Sequence, residues 1–144
     1  FSNRVVFSAS TARVDQRDLG FFTIDGKTAR DFDDAVFAKS NGDGSWQVYV
    51  TIADVAHYVR PGSAIDQEAY LRGTSVYFPT HSIPMLPENL SNNLCSLKSD
   101  VNRFTLTCEM LIDSTGWVQS YQIYESVIRS RARLIYEVSR HRPN

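Results

Sequence analysis

Four aspartates within ten residues are the part of this sequence best suited to chemistry. They are Asp25, Asp31, Asp33 and Asp34, in the segments TIDG and ARDFDD. Neighbouring carboxylates repel one another and raise one another's pKa, so a cluster of this density is best explained if a cation neutralises it. Hard oxygen ligands favour magnesium or manganese over zinc, and the next histidine, His57, lies 23 positions beyond Asp34. The cluster therefore indicates a Mg²⁺ or Mn²⁺ site.

Other interpretations of the cluster stay open from these residues alone. In a surface acidic loop, Asp31 and Asp33 would only cap a turn. An aspartate-nucleophile phosphatase also has an AspXAsp pair, although Asp31 and Asp33 do not directly follow an apolar strand. An EF-hand is excluded because the spacing after Asp31 lacks the loop glycine and the closing glutamate.

Short strands are predicted on both sides of the aspartates. Aromatic and β-branched residues predict strands over 21–25 and 35–39, with the aspartates in the loop between them. The turn sequence NGDGS at 41–45 precedes WQVYVTIA at 46–53, which predicts a hairpin pairing 35–39 with 46–53. The hairpin would position the second half of the loop.

A helix and an irregular segment are predicted next. Ser63 can cap a helix that runs to about Arg72, with Asp66 at the third helical position and Gly73 at the end. This helix should cover one face of the sheet. The segment 74–97 contains three prolines, which predicts ordered but irregular structure.

The cleanest strand pattern occurs at 103–112, where Phe104, Leu106, Cys108, Met110 and Ile112 alternate with the residues of the other face. The turn at 114–116 predicts an antiparallel partner over 117–128. Together these elements predict an α+β domain with a mainly antiparallel mixed sheet, one or two packed helices and the aspartate loop at one edge. Residues 1–18 show no clear period and are interpreted as an entry segment, with the domain over 19–144.

Composition narrows the classes of protein. The chain has 144 residues, of which 42% are hydrophobic and 22% charged, as in one soluble globular domain. It has no apolar run of about 20 residues and no signal-peptide pattern, so we expect no membrane span and a cytoplasmic location. A net charge of −1 argues against unspecific coating of nucleic acid. Cys95 and Cys108 lack a CxxC partner and are expected to be core thiols.

Charge is unevenly distributed along the chain. Residues 126–144 contain five arginines (Arg129, Arg131, Arg133, Arg140 and Arg142) against one acid, Glu137. This distribution would suit a polyanion held by arginines while its scissile phosphate meets metal ions at the aspartates. The alternative is a solvated basic tail.

Several blocks resemble one family in order and spacing. They are RDLGFFTIDGKTARDFDDAVFAK, VTIADVAHYV, RGTSVYFPTHSIPMLPENLSNNLCSLK and RFTLTCEM. They are similar to the catalytic (RNB) domain of the ribonuclease II and ribonuclease R family. Their sequences are closer to those of ribonuclease R than to those of ribonuclease II. The resemblance implies 3′ to 5′ hydrolysis of single-stranded RNA to nucleoside 5′-monophosphates by two metal ions. It implies that Asp25 and Asp34 hold the main magnesium, and that Asp31 and Asp33 complete the site with a second ion.

The same resemblance assigns roles outside the aspartate loop. Tyr77 matches the family tyrosine that stacks at the 3′ end of the RNA, a contact that tolerates any base. The blocks IPMLP at 83–87 and LCSL at 94–97 would shape a wall of the site. His57 and His81 are interpreted as structural or surface residues, since metal ions can activate the water.

The family's catalytic domain is longer than this chain. It takes an arginine that contacts the scissile phosphate and a second stacking aromatic from its later part, and it is flanked by cold-shock and S1 barrels. We therefore expect an incomplete RNB-type domain with little nuclease activity of its own. The alternative is a non-catalytic fragment that binds RNA or a protein, and unpaired strand edges would favour self-association or a partner.

Overall fold

A seven-stranded mixed sheet is the main feature of the fold. The structure is a computed structural model, and it describes residues 13–136. The strands of this sheet are β1 (Val14–Asp15), β2 (Phe22–Asp25), β3 (Asp34–Ser40), β4 (Trp46–Ala53), β7 (Asn102–Ile112), β8 (Val118–Arg129) and β9 (Ala132–Ile135), and their spatial order is β1-β8-β7-β4-β3-β2-β9. A separate two-stranded ladder pairs β5 (Val76–Tyr77) with β6 (Ser82–Ile83).

The antiparallel centre of the sheet confirms the predicted hairpins. Strand β3 pairs with β4, β4 with β7, and β7 with β8, all antiparallel. The β3–β4 turn needs left-handed backbone, which Gly42 and Gly44 supply with φ of 85° and 88°. Gly116, with φ of 90°, does the same between β7 and β8. Local turn chemistry therefore set the β3–β4 and β7–β8 pairings.

Two parallel pairs complete the sheet. Strand β1 pairs with β8, and β9 pairs with β2 over all four of its residues. The α+β class with a mainly antiparallel sheet is confirmed, since the other four pairings are antiparallel. Strand β9 was not predicted, and it occupies the edge next to β2. The aspartate loop consequently lies at the ends of β2 and β3 rather than at a sheet edge.

The start of the described chain also joins the sheet. Besides forming β1, it buries Gln16, and the guanidinium of Arg13 pairs with Asp54 with both side chains almost fully buried. The remainder of the predicted entry segment, residues 1–12, lies outside the described residues. The domain boundary at residue 19 stays a prediction.

Short helices cover part of the core. Helix α1 (Val55–Tyr58) follows Asp54, and helix α2 (Ala64–Arg72) begins after Ser63, whose hydroxyl accepts from the Asp66 amide at 3.3 Å. The predicted helix is therefore confirmed, although none of its residues is fully buried and only Ile65 and Ala69 pack against the core. No helix in the described part of the chain is long and apolar enough to cross a membrane.

The segment 74–97 is more regular than predicted. It contains β5, β6 and a π-helical turn over Leu90–Leu94, in which Leu90 and Leu94 are buried. These leucines belong to the core cluster with Phe21, Ala35, Leu97 and Ile128. The prediction of wholly irregular structure was wrong because the prolines limit strand and helix length without preventing short elements.

The covered face of β7 is polar. Thr105 and Thr107 are fully buried, and the hydroxyl of Thr107 lies 3.0 Å from that of Thr51 and 2.6 Å from that of Ser126. Hydrogen bonding within the group satisfies these polar atoms, so their burial carries little penalty. Cys108 lies on the opposite face and is only partly buried, unlike the expected core thiol. Cys95 is buried as predicted, and burial raises the pKa of its thiol to about 11.

Candidate active site

The aspartate loop connects β2 to β3. Strand β2 ends at Asp25 and β3 begins at Asp34, so the outer two aspartates stand on strands and the inner two on the loop. The amide of Ala29 donates to the Gly26 carbonyl at 3.1 Å, which closes the first turn of the loop. The amide of Ala53 donates to the Asp33 carbonyl at 2.9 Å and ties the end of the loop to β4.

Ser96 holds the loop from the core side. Its buried hydroxyl donates to the Arg30 carbonyl at 2.9 Å and accepts from the Phe32 amide at 3.1 Å. The amide of Leu97 donates to the Phe32 carbonyl at 2.8 Å, and the buried guanidinium of Arg103 donates to the Ser96 carbonyl at 2.8 Å. In this way the block LCSL at 94–97 forms a wall under the loop. A wall was expected because prolines and buried apolar residues usually shape one, but no sequence pattern specified these contacts.

Three of the four aspartates line one cleft. Its volume is about 740 Å³, and Asp25, Asp31 and Asp33 line it together with Tyr77. Asp34 is not among the described residues that line the cleft. It is the first residue of β3, paired with Ile52 of β4. The structure therefore brings Asp25, Asp31, Asp33 and Tyr77 to one cavity and leaves Asp34 outside its lining.

The carboxylates affect one another's protonation. Burial, followed by repulsion from Asp34 and Asp31, raises the pKa of Asp25, while the nearby Thr23 hydroxyl and then the charge of Arg133 oppose the rise. Burial, followed by repulsion from Asp31 and Asp34, raises the pKa of Asp33. Asp34 thus acts on both neighbours although it lies outside the cleft lining. Their mutual repulsion would be relieved by a cation.

One carboxylate oxygen has no hydrogen-bond partner. Oδ2 of Asp25 is buried and has no partner in the described part of the chain, which is costly for an anionic group. An orphaned hard oxygen beside other carboxylates fits a divalent cation. Even so, the described residues contain no group of three or more acidic, histidine or cysteine side chains already gathered at ligating distance. The ligand roles of the four aspartates stay a prediction.

Tyr77 connects the cleft wall to the loop. Its hydroxyl donates to Oδ2 of Asp31 at 2.8 Å, and this hydrogen bond is the main cause of its raised pKa. The side chain is otherwise 67% exposed. The short β5–β6 ladder, in which Tyr77 pairs with Ser82, sets its position. Most of the Tyr77 side chain is therefore accessible, and its stacking role stays a prediction.

His57 and His81 lie in different places. The ring of His57 packs at 4.6 Å from that of Phe104, which agrees with a structural role. His81 lines the cleft, and its ring stacks at 4.9 Å on that of Phe78. Sequence reasoning missed Phe78 and His81 as cleft residues, and nearness to Tyr77 in the chain was the available signal.

Comparison with known proteins places the chain in a family. The family model of the RNB domain matches residues 13–140. The chain belongs to the RNB domain family. Ribonuclease R of Vibrio parahaemolyticus is 56% identical to this RNB chain over 128 residues, which are 89% of the chain and 15% of the relative. The chain thus spans a small part of the length of the curated relatives it matches.

Solved structures agree with the fold. Ribonuclease R of Mycoplasma genitalium in complex with double-stranded RNA superimposes with a TM-score of 0.86 and 40% identity, over 93% of this RNB chain and 24% of that structure. The same protein in complex with ribose-methylated single-stranded RNA also gives 0.86. Yeast Ssd1, described as a pseudonuclease, gives 0.78 at 25% identity, over 86% of this chain and 16% of that structure.

Proposed function

We propose that this RNB chain carries the metal-binding part of an exoribonuclease site that hydrolyses single-stranded RNA from its 3′ end to nucleoside 5′-monophosphates. One observation carries the proposal: the hydroxyl of Tyr77 is bonded to Asp31 in a cleft that Asp25 and Asp33 also line. A stacking aromatic and the candidate metal ligands therefore share one cavity. Similarity to ribonuclease R, which has been solved with RNA, supports the choice of substrate.

The aspartates would hold magnesium or manganese. Asp25 and Asp34 would hold the main ion, and Asp31 and Asp33 would complete the site with a second. Bound ions of this kind activate a water and stabilise the charge that develops on a phosphate undergoing displacement. The orphaned Oδ2 of Asp25 and the absence of nitrogen or sulfur ligands from the cluster support hard divalent cations over zinc.

The chain's own residues would bind and orient the substrate. The exposed ring of Tyr77 would stack on the terminal base, which is worth roughly 1–3 kcal/mol and does not depend on base identity. The Ser96 contacts would keep the backbone of Arg30 and Phe32 in place while the carboxylates on either side of Phe32 face the phosphate. Such positioning matters because in-line displacement depends on alignment.

The test is a product analysis with two copies of one single-stranded RNA, excess chain and Mg²⁺: a 5′-labelled copy reports shortening, and a uniformly labelled copy reports the released mononucleotides. We expect slow, magnesium-dependent release of nucleoside 5′-monophosphates and stepwise shortening from the 3′ end. Asp33→Asn should abolish this release while leaving RNA affinity nearly unchanged, because metal ions act mainly on the transition state. Asp43→Asn, in the distant β3–β4 turn, is the control. Internal cleavage, or equal activity of the Asp33→Asn variant, would contradict the proposal.

A non-catalytic RNB module is the second candidate. Two observations favour it: the likeness to Ssd1, described as a pseudonuclease, and the lack of a ready-made metal-ligand group in the described residues. RNA binding without any release of mononucleotides at excess chain, unchanged by Mg²⁺ or Mn²⁺, would support this candidate against the first.

Self-association or a protein partner, and a cytoplasmic location, are further proposals. Strand β9 forms an edge of the sheet, and its Leu134 and Ile135 are each 46% exposed, so another strand could pair there. Light scattering coupled to size-exclusion chromatography would test self-association, and a constant monomer mass over the concentration range would exclude it.

A further inference from the structure

We propose that Arg133 is a positioning residue that fixes the aspartate loop, a role in the reaction that rests on the function proposed above. Its Nη2 lies within hydrogen-bond distance of three carbonyls in the first turn of the loop, at 3.0 Å from that of Gly26, 2.9 Å from Lys27 and 3.3 Å from Ala29, and its two N–H groups are shared among them. Carbonyls gathered around one guanidinium cannot drift apart without losing charge-assisted hydrogen bonds. The first half of the loop is therefore fastened by a side chain more than 100 residues away.

The parallel pairing of β9 with β2 places Arg133 next to the aspartate loop. Arg133 pairs with Thr23 and Ile135 with Asp25, so β9 runs beside β2 to the point where the loop begins. The amide of Tyr136 donates to the Asp25 carbonyl at 3.2 Å and continues this contact. The backbone of the sheet thus sets the position of Arg133 independently of its side-chain contacts.

The same guanidinium also contacts the far half of the loop. Its central carbon lies 4.8 Å from the centre of the Phe32 ring, a cation–π contact with a buried aromatic. Phe32 stands between Asp31 and Asp33, and its backbone is bonded to Ser96 and Leu97. Arg133 therefore links the 26–29 turn to the segment that carries the inner aspartates. Lysine cannot reproduce this link, because it lacks a planar group that stacks while donating.

The positive charge of Arg133 and its contacts to the loop should change the affinity for a cation in opposite directions. A guanidinium near the aspartates repels a divalent cation, so removing its charge should by itself tighten binding. Losing the contacts to Gly26, Lys27, Ala29 and Phe32 should loosen the loop and weaken binding. The direction of the change therefore separates a positioning role from a purely electrostatic one.

The experiment compares Arg133→Lys and Arg133→Gln with the matched variants Arg131→Lys and Arg131→Gln in the full 144-residue chain. Arg131 also donates to a backbone carbonyl, that of Arg17 at 2.9 Å, but not to the loop. Two quantities are measured: hydrogen exchange of the Ala29 and Phe32 amides without metal, and Mn²⁺ affinity by calorimetry. We expect both Arg133 variants to speed exchange about tenfold. Mn²⁺ binding should weaken about tenfold in Arg133→Lys, which keeps the charge, as loss of roughly 1.4 kcal/mol of contacts implies, and less in Arg133→Gln, where the lost repulsion offsets part of the effect. The Arg131 variants should match the wild type.

Unchanged exchange at Ala29 and Phe32 in Arg133→Lys would overturn the proposal. Mn²⁺ binding that is not weakened in Arg133→Lys would also overturn it. Equal binding in Arg133→Lys together with tighter binding in Arg133→Gln would mean that Arg133 acts by charge alone. If the wild type binds no Mn²⁺ but exchange still rises only in the Arg133 variants, the positioning role stands and the proposed metal function fails. Arg133→Lys keeps the charge, so a folding failure of Arg133→Gln leaves the test intact.

Discussion

The phenolic oxygen of Tyr77 lies 2.8 Å from Oδ2 of Asp31 and donates a hydrogen bond to it. This contact spans 46 positions of sequence and joins the β5–β6 ladder to the aspartate loop. It occupies an acceptor position that a cation at Asp31 would also use. The ring face remains exposed, so the hydroxyl and the ring of Tyr77 have separable roles.

Replacing Tyr77 in two ways should separate those roles. Tyr77→Ala should weaken binding of single-stranded RNA by about 5- to 150-fold, the equivalent of roughly 1–3 kcal/mol of stacking. Tyr77→Phe keeps the ring and should bind RNA within about twofold of the wild type. Fluorescence anisotropy with a labelled oligonucleotide measures both. Equal losses in the two variants would mean that the hydroxyl, not stacking, carries the binding.

Asp34→Asn should weaken Mg²⁺ or Mn²⁺ binding, because each lost carboxylate removes a hard anionic ligand and part of the local negative charge. Calorimetric titration of the purified chain measures the change. Asp100→Asn is the control, since that aspartate pairs with Arg129 rather than with the loop. An affinity equal to that of the wild type would exclude Asp34 as a ligand.

Asp33→Asn should raise the melting temperature of the metal-free chain at neutral pH. The pKa of Asp33 is raised in the folded state, so its stability contribution is fully present below the unfolded pKa of about 3.9 and is lost as pH rises through the folded pKa. The neutral asparagine avoids that loss. Calorimetry in the presence of a chelator should show the variant more stable at neutral pH, with the difference vanishing on acidification.

Asp113 serves as a control because its pKa is shifted in the opposite direction to that of Asp33. Hydrogen bonds from Thr115 and Trp117 lower its pKa to about 2, so its contribution to stability is present above the unfolded pKa of about 3.9 and is lost as the pH falls through the folded pKa of about 2. Asp113→Asn should therefore lower the melting temperature at neutral pH. If both variants shift stability in the same direction, the repulsion among the loop aspartates is not what destabilises the metal-free chain.

Ser96→Ala should destabilise the fold by roughly 1–3 kcal/mol, because it leaves the Arg30 carbonyl and the Phe32 amide without their buried partner. Chemical denaturation measures this loss. Ser130→Ala is the control. Like Ser96, Ser130 is buried and its hydroxyl donates to a carbonyl, that of Ala132 at 3.2 Å, but it makes no contact with the aspartate loop among the described hydrogen bonds. Both variants should lose stability, while Mn²⁺ affinity should fall only in Ser96→Ala. A fall in both would show that Mn²⁺ affinity reports general stability.

The 144-residue chain by itself should release mononucleotides far more slowly than a full-length ribonuclease R. The resemblance implies a phosphate-binding arginine and a second aromatic from a later part of the domain, and misplacing the reacting groups by about 1 Å can cost roughly a hundredfold. Initial rates on the same labelled RNA, at equal enzyme concentrations with Mg²⁺, measure the difference. A rate near that of the relative would show that the chain is catalytically complete.

Local sequence was sufficient for the elements around the site. The glycine turns and alternating strands from Ala35 to Ile128, and the helix capped by Ser63, appear in the structure within one or two residues, because turn chemistry and capping act between neighbours in the chain. The close spacing of Asp25, Asp31, Asp33 and Asp34 identified the loop as a candidate site. The resemblance to the family added Tyr77 to that site. These signals are all contiguous in sequence.

Tertiary structure alone decided what holds the loop and which face of the sheet is covered. In the sequence, the arginine-rich end and the aspartates are separate charged regions. The pairing of β9 with β2 places Arg133 against the aspartate loop. The alternation in β7 did not reveal that Thr105 and Thr107 face the interior, where they satisfy each other through Ser126. The physical reason is common to both: pairing between distant strands depends on the total free energy of packing and hydrogen bonding, which no local pattern contains.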